Sequence, residues 1–355
     1  MTAPLTIALD GMGGDQAPRM VVAGANLARK RFPNANFLLF GDEPTLTPMV
    51  KRFSGLAERV TIEHADEVVL DEDKPSVAMR QRRRSSMRLA IDAVGEGRAA
   101  AMVSAGDTGA LMATSKLVLK TLPGIGRPAI VGVFPTQRGE SVVLDLGAKV
   151  DCSARNLCEF AVMGAVFARA ALGVTNPTVG LLNVGAEALK GNDTVRSAAA
   201  ILAESDLPFT FHGYVEGNDI AAGTVDVFVT DGFTGNIVLK TAEGTARLFV
   251  DFLRRALKRS MSSRIGALLA RSAYRALREQ LDPRRHNGAM FLGLNGIAIK
   301  SHGGTDAIGF ANAIGVAVDT AVQGCNTRIV EELQRIALVD SASIATRTDT
   351  NGVTS

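Results

Sequence analysis

The 355 residues contain no tryptophan and only two tyrosines. Cysteine occurs three times, at Cys152, Cys158 and Cys325, an odd count without CxxC spacing, which argues against a disulfide framework or a zinc knuckle. The histidines (His64, His212, His286, His302) are scattered and never stand at i, i+4, so no metal motif is formed. No apolar run reaches the ~18 residues that span a bilayer. Arg169 interrupts the best stretch, Phe160 to Val174. Met1 leads directly into the apolar run Leu5–Leu9, with neither the basic segment nor the small-residue cleavage site of a signal peptide. A cytoplasmic protein is expected, one that can still lie against a membrane. Charge of one sign is also scarce: 39 Lys+Arg against 36 Asp+Glu leave +3, which excludes a uniformly basic nucleic-acid coat and a disordered polyelectrolyte.

What is present is an alternation. Leu5–Leu9, Phe37–Phe40, Ala101–Ser104, Ile130–Phe134, Val142–Leu144, Thr178–Asn183, Phe209–His212 and Val225–Thr230 are continuous aliphatic runs of the kind that strands need when both faces are covered. Between them lie amphipathic stretches such as Arg19–Arg31, Ser85–Gly95 and Thr194–Glu204. The pattern predicts βαβ units and a largely parallel sheet, an α/β fold whose ligands bind beyond the carboxyl ends of the strands. After Thr234 a helical region is predicted to about Leu281, as two helices broken near Ser260–Ser263. A Gly-rich segment from Asn287 to Gly304 and a last helix from Asp306 to about Ala337 follow. One domain is expected over 1–339, with a basic amphipathic region at 243–285 and a disordered polar tail at 340–355.

Four Gly-rich loops follow predicted strands. The first, Asp10-Gly11-Met12-Gly13-Gly14-Asp15, permits close backbone approach to a phosphate at a helix start, or is a tight turn capped by Asp15. It fails the dinucleotide fingerprint because Gln16 stands where glycine is required. The second, Ser104 to Ala110, brings hydroxyls and N–H groups of Gly106, Asp107, Thr108 and Gly109 to a helix start; Asp107 or Thr108 is alternatively an N-cap. The third joins Asn183-Val184-Gly185 to Lys190-Gly191-Asn192-Asp193, where Lys190 either meets a bound anion or is solvated. The fourth, Asp231 to Asn236, offers Thr234 and Asn236 as donors beside Asp231 and Gly235. His302, before Gly303-Gly304, is a proton donor, a polar anchor or a structural residue. Cys152 and Cys158 read as packing residues, and no G-x-S-x-G elbow occurs.

In this order the loops, together with Arg80–Met87, Leu292-Gly293-Leu294-Asn295-Gly296 and Ser301-His302-Gly303, resemble the bacterial phosphate acyltransferases of the PlsX type, from the first strand to about Ala337. Leu146 and Lys149 depart from the family's usual Asp-Val-Gly-Ala-Asn, Tyr214 from an Asn, and His286-Asn287-Gly288 from a Tyr-Gly-Gly. The resemblance implies a three-layer α/β/α fold like isocitrate and isopropylmalate dehydrogenases and phosphate acetyltransferase, usually a homodimer. It implies neither metal nor organic cofactor. Acyl carrier protein and inorganic phosphate are the implied substrates, and the acyl phosphate product passes to a membrane glycerol-3-phosphate acyltransferase.

Phosphate is already a nucleophile and a thioester already activated, so such an enzyme has to position the two and stabilise an oxyanion. On this reading Lys190 pairs with phosphate or oxyanion, and Asn236 and Thr234 donate to the thioester oxygen. Gly13–Gly14 and Ser104–Gly109 complete the anion cradle, with Asp10, Asp15, Asn192, Asp231, Gly235 and His302 around it. Between Arg247 and Arg285, 11 Lys+Arg face 3 Asp+Glu, so the rest of the chain is net acidic. That basic amphipathic region, with Lys258, Arg259, Ile265, Leu268 and Leu269, suits an anionic membrane surface or an acidic carrier protein, or else packs a dimer. Arg80, Arg83 and Arg84 form a second basic run that either docks the carrier or is a solvated helix start.

Overall fold

In the computed structural model, which describes residues 5–70, 72–280, 282, 284–285 and 287–332, the alternation becomes a single eleven-stranded sheet. The first third of the chain runs β1 (Leu5–Asp10), α1 (Arg19–Arg31), β2 (Ala35–Gly41), α2 (Glu43–Lys51), α3 (Ser54–Ala57), β3 (Val60–His64), α4 (Pro75–Gln81), α5 (Ser86–Gly95), β4 (Ala101–Ser104) and α6 (Thr108–Leu119). Then come β5 (Ala129–Thr136), β6 (Gly139–Leu144), α7 (Ala154–Leu172), β7 (Thr178–Leu182), α8 (Asp193–Glu204), β8 (Thr210–Val215), α9 (Gly217–Ala222) and β9 (Val227–Val229). The last part holds α10 (Gly232–Lys258), α11 (Met261–Leu269), α12 (Arg271–Gln280), β10 (Ala289–Leu292), β11 (Ile297–Lys300) and α13 (Ala307–Gln323). The expected tail at 340–355, the domain limit at 339, the helix end near Ala337 and His286 lie outside the described residues.

Side-chain alternation along each strand builds two cores, one on each face of the sheet. Ile7 and Leu9 face one way, against Val21 and Ala25 of α1, Phe160 of α7 and Phe310 of α13. Ala8 faces the other way, with Met87 and Ile91 of α5, Leu111 of α6 and Ile220 of α9. The result is a three-layer α/β/α sandwich. The strand order is β3-β2-β1-β4-β11-β10-β5-β6-β9-β7-β8. β1, β2, β3, β4 and β11 are mutually parallel, as are β6, β9, β7 and β8. Between the blocks β10 runs antiparallel to both β11 and β5, and β5 antiparallel to β6. The second block therefore points opposite to the first, and the loops at strand ends fall into two sets.

Three sequence expectations change here, the first being the last helix, expected to run unbroken from Asp306 to about Ala337 but interrupted at Gly324 in the left-handed conformation. The basic helical region is three helices, because the chain turns again at Ala270, whose N–H closes α11 on Gly266 O at 2.9 Å. β3, β10 and β11, absent from the expected strands, complete the sheet.

Candidate active site

The first set of loops is built on Asp10, at the end of β1 and 1% exposed. Its carboxylate accepts from Ser86 Oγ (2.6 Å), Ser104 Oγ (2.6 Å) and Met12 N (3.2 Å). Burial pushes its pKa up, against these hydrogen bonds. Gly106 N in turn donates to Ser104 Oγ at 3.0 Å, which ties the loop after β4 to the loop after β1. Gly13 is required at their junction: a Cβ there would lie 2.4 Å from Asp10 Oδ2 and 2.8 Å from Gly106 N. Asp15 N donates to Gly303 O at 3.1 Å, and the Asp15 carboxylate lies against Gly303 and Gly304. Gly14 packs on Ala105 and Gly303. Three adjacent strand ends thus close into one loop cluster. Asp15 is not the helix cap that its position suggested; the N-cap of α1 is Pro18.

His302 belongs to this cluster. Its backbone N–H donates to Asn287 Oδ1 at 2.9 Å, and its Nδ1 accepts from Gly304 N at 3.1 Å, so in the neutral ring Nε2 carries the proton. Partial burial, then the charge of Lys240, with Lys300 and Arg247 adding and Glu243 opposing, hold its pKa below the ordinary histidine value. Lys240, Glu243 and Arg247 lie on α10, which begins in the other loop set.

That second set is organised by Asp145, at the end of β6 and fully buried. Its carboxylate accepts from Ile130 N (2.9 Å), Gly147 N (3.2 Å), Ala148 N (2.9 Å) and Lys149 N (2.9 Å). Burial outweighs these bonds and raises its pKa to about 6. The start of α10 sits on this loop: a Cβ on Gly235 would lie 1.9 Å from Asp145 O, and one on Gly232 2.6 Å from Lys149 O. Asn236 presses on Gly147, its Cβ and Oδ1 being 3.4 and 3.5 Å from where a Gly147 Cβ would be. Among the described residues its amide has no hydrogen-bond partner. Thr234 is differently placed: its N–H and its Oγ1 both donate to Asp231, each at 2.9 Å. Its one hydroxyl proton is used here for capping.

Capping also accounts for three other expected site residues. Asp107 accepts from Ala110 N at 2.7 Å, Asn192 from Val195 N at 2.9 Å, and Asp231 from Thr234 N. Thr108 and Gly109, at the first two positions of α6, keep their N–H groups free of intrahelical partners. Lys190 is exposed at the end of β7, two strands from β6, with its stem over Gly185. It makes no ion pair among the described residues. Its loop is held by Asn183, whose Nδ2 donates to Lys190 O at 3.1 Å.

The four loops therefore start from two oppositely directed blocks of strands. The reversal between β11 and β6 separates them, and two helices join them again. α6 leaves the first set at Thr108 and passes its outward face toward the 145–149 loop. α10 leaves the second set at Asp231 and brings Lys240, Glu243 and Arg247 toward His302. A cavity of about 600 Å³ lies along α6, lined by Met79, Thr108, Gly109, Met112, Ala113, Lys116, Leu117, Arg127, Gly147 and Ala148. Lys116 and Arg127 were not singled out in the sequence. Asp145 entered only as part of the family stretch, although, like Asp10, it stands at a strand end and leads into a loop with glycine.

The cysteines are not poised as nucleophiles. Burial raises the thiols of Cys152 and Cys158 to about 11 and that of Cys325 to about 12. Of the Arg80–Arg88 run, Arg82 pairs with Asp73 at 3.0 Å, Arg84 with Asp66, and Arg88 with Asp92 at 2.8 Å. Arg80 and Arg83 stay exposed, without ion pairs among the described residues. Along the helical arm Ile265 is 56%, Leu268 66% and Leu269 80% exposed, with Lys258 and Arg259 exposed beside them. No single helix among the described residues is long and apolar enough to cross a membrane.

Residues 5–328 match the family described as "Fatty acid synthesis protein". The chain is 59% identical over 346 residues to the phosphate acyltransferase of Rhodospirillum centenum, covering 97% of this chain and 98% of that one. It is 58% identical over 336 residues to the phosphate acyltransferase of Paramagnetospirillum magneticum, covering 95% and 96%. Among solved structures, a phosphotransacetylase from Streptococcus pyogenes superposes with a TM-score of 0.61 at 17% identity, over 91% of this chain and 95% of that one. The EutD phosphotransacetylase from Staphylococcus aureus gives 0.56 at 16% identity, over 90% and 94%. At such identities the structural likeness concerns the fold.

Proposed function

The chain belongs to the fatty acid synthesis protein family and within it to the phosphate acyltransferases, enzymes of acyl transfer, and from this premise we propose that its donor is a fatty acyl group on acyl carrier protein and its product an acyl phosphate. The observation that carries the proposal is the cleft itself. It receives N–H groups from the α6 start, is bordered by Gly147 and Ala148, and has an apolar wall of Met79, Met112 and Leu117. An acyl thioester and an oxyanion need such a mixed lining.

A phosphate oxygen attacks the thioester carbonyl carbon, the carbon–oxygen π pair moves onto oxygen, and collapse of the tetrahedral species breaks the C–S bond. The thiolate leaves with a conjugate pKa near ~8.5 and takes a proton from solvent, so little acid help is required. Asn236, with its amide free beside Gly147, is the side chain suited to donate to the developing oxyanion. Lys190 supplies full positive charge from the neighbouring strand end. The Asp10 and Asp145 carboxylates hold the loops and do not touch the reacting atoms. The homodimer, the seat of Arg80 and Arg83 on the acidic carrier protein, and the contact of Lys258, Arg259, Ile265, Leu268 and Leu269 with an anionic membrane are parts of the same proposal. So is delivery of product to a membrane glycerol-3-phosphate acyltransferase by a protein resting on the inner membrane face.

Trapping with hydroxylamine tests the reading. Long-chain acyl carrier protein plus phosphate should give acyl hydroxamate, whereas acetyl-CoA should be a poor donor. Lys190→Ala and Asn236→Ala should each lower turnover by about 10²–10³. Turnover of acetyl-CoA equal to that of the long-chain donor would overturn the donor assignment, and Lys190→Ala within a few-fold of wild type would remove Lys190 from the mechanism.

A further inference from the structure

The cleft holds a group of cations that the acyl-transfer scheme leaves unused. Lys116 and Arg127 line it, and Lys149 follows directly on its lining residue Ala148. Neither Lys116 nor Arg127 has an ion pair among the described residues. Lys149 Nζ donates to the neutral Asn156 Oδ1 at 3.1 Å. Glu159, the carboxylate packed under residue 126, is already engaged by Arg155 Nε at 3.0 Å and Gly126 N at 3.1 Å. Partial burial, with the charges of Arg127 and Lys149, depresses the Lys116 pKa, so the three cations are close enough to repel one another. Such a cluster is stabilised by an anion.

We propose that Lys116, Arg127 and Lys149 form a subsite for a phosphoryl group at the end of the cleft away from Thr108. The helix places Thr108 and Lys116 about 12 Å apart along its axis. The wall between them is Met112, Ala113 and Leu117, faced by Met79. A free phosphate would fill one end only. A phosphate ester with an extended, partly apolar arm fills the length, its phosphoryl group on the cations and its reactive end toward Thr108 and Gly109. The thioester donor of the acyl-transfer reading has that form, since its carrier bears the thiol on a phosphopantetheine arm. The inference rests on that reading and extends it to the recognition of the donor. Lys149 gives this chain a third charge at the subsite.

Steady-state kinetics with the full chain separate the two sources of a phosphoryl group. In Lys116→Ala combined with Arg127→Ala, the KM for the acyl-carrier donor should rise about 10- to 100-fold, while kcat and the KM for phosphate stay within about threefold. A rise in the phosphate KM alone would assign the subsite to inorganic phosphate in place of the ester. If neither KM moves, the subsite is refuted. Lys149→Asn should give a smaller rise in donor KM, and Arg127→Lys should retain most of the affinity, as a charge-recognition role requires. Thermal shift with 4′-phosphopantetheine and with inorganic phosphate, titrated separately, reads binding without turnover. Stabilisation of wild type but not of the double variant, in a protein that forms no acyl phosphate, would leave the subsite standing and refute the acyl-transfer reading. Normal turnover with identical shifts and KM values in both proteins would do the reverse.

Discussion

Asp10 and Asp145 are both buried carboxylates whose charge is compensated by hydroxyl and backbone donors and not by a cation, and this sets how they respond to pH. Burial pushes the Asp145 carboxyl up to about 6 in the folded protein, against an ordinary value of 3.8. Between these values the folded state binds more protons than the unfolded one, so this residue's contribution is fully present below the unfolded value and is lost as pH rises through about 6. Two pH units correspond to about 3 kcal/mol. The difference in unfolding free energy between wild type and Asp145→Asn, followed by denaturant titration from pH 4 to 7, should therefore shrink by roughly that amount in wild type's disfavour. A difference independent of pH would mean that Asp145 ionises normally.

At the scale of the element, α10 shows how one helix carries two kinds of glycine. Gly235 faces Asp145 O so closely that a methyl group cannot be placed without moving the helix off the loop, whereas Gly244 has nothing within 4 Å. Gly235→Ala should destabilise by several kcal/mol, about 3 or more, and abolish turnover. Gly244→Ala should stabilise by about 0.5–1 kcal/mol through helix propensity alone. Paired thermal melts check both, and equal effects would contradict the packing at Gly235. The same helix shows what the sequence could and could not reveal. Its amphipathic pattern and its Asp231 cap were legible, because periodicity and capping are local. The Gly235 approach to Asp145 was not, since it depends on two segments ninety residues apart. β3, whose Thr61, Glu63 and His64 interrupt its apolar residues at the sheet edge, lacks the continuous apolar run of a buried strand. β10 and β11 are only four residues each, in a Gly-rich stretch, and their reversal decides which loops meet. The Lys116–Arg127 pairing was equally invisible: α6 supplies one cation and the turn before β5 the other.

For the whole molecule, the near-zero net charge hides a strong division: a net acidic body and a basic arm of α10, α11 and α12 ending in exposed Met261, Ile265, Leu268 and Leu269. Leu268→Glu with Leu269→Glu should reduce co-sedimentation with anionic phospholipid vesicles at least about tenfold, and unchanged co-sedimentation would remove the membrane from the arm's partners. Fully buried residues in α10 are confined to Gly232 and Gly235, at its first turn; Val238 and Leu239 pack on the core in the next, and the C-terminal turns are more exposed. A helix of 27 residues is about 40 Å long. One end of this helix is thus fixed on the Asp145 loop and capped by Asp231, while its far end leads to the apolar tip. Each degree of tilt about that end displaces the far end by about 0.7 Å.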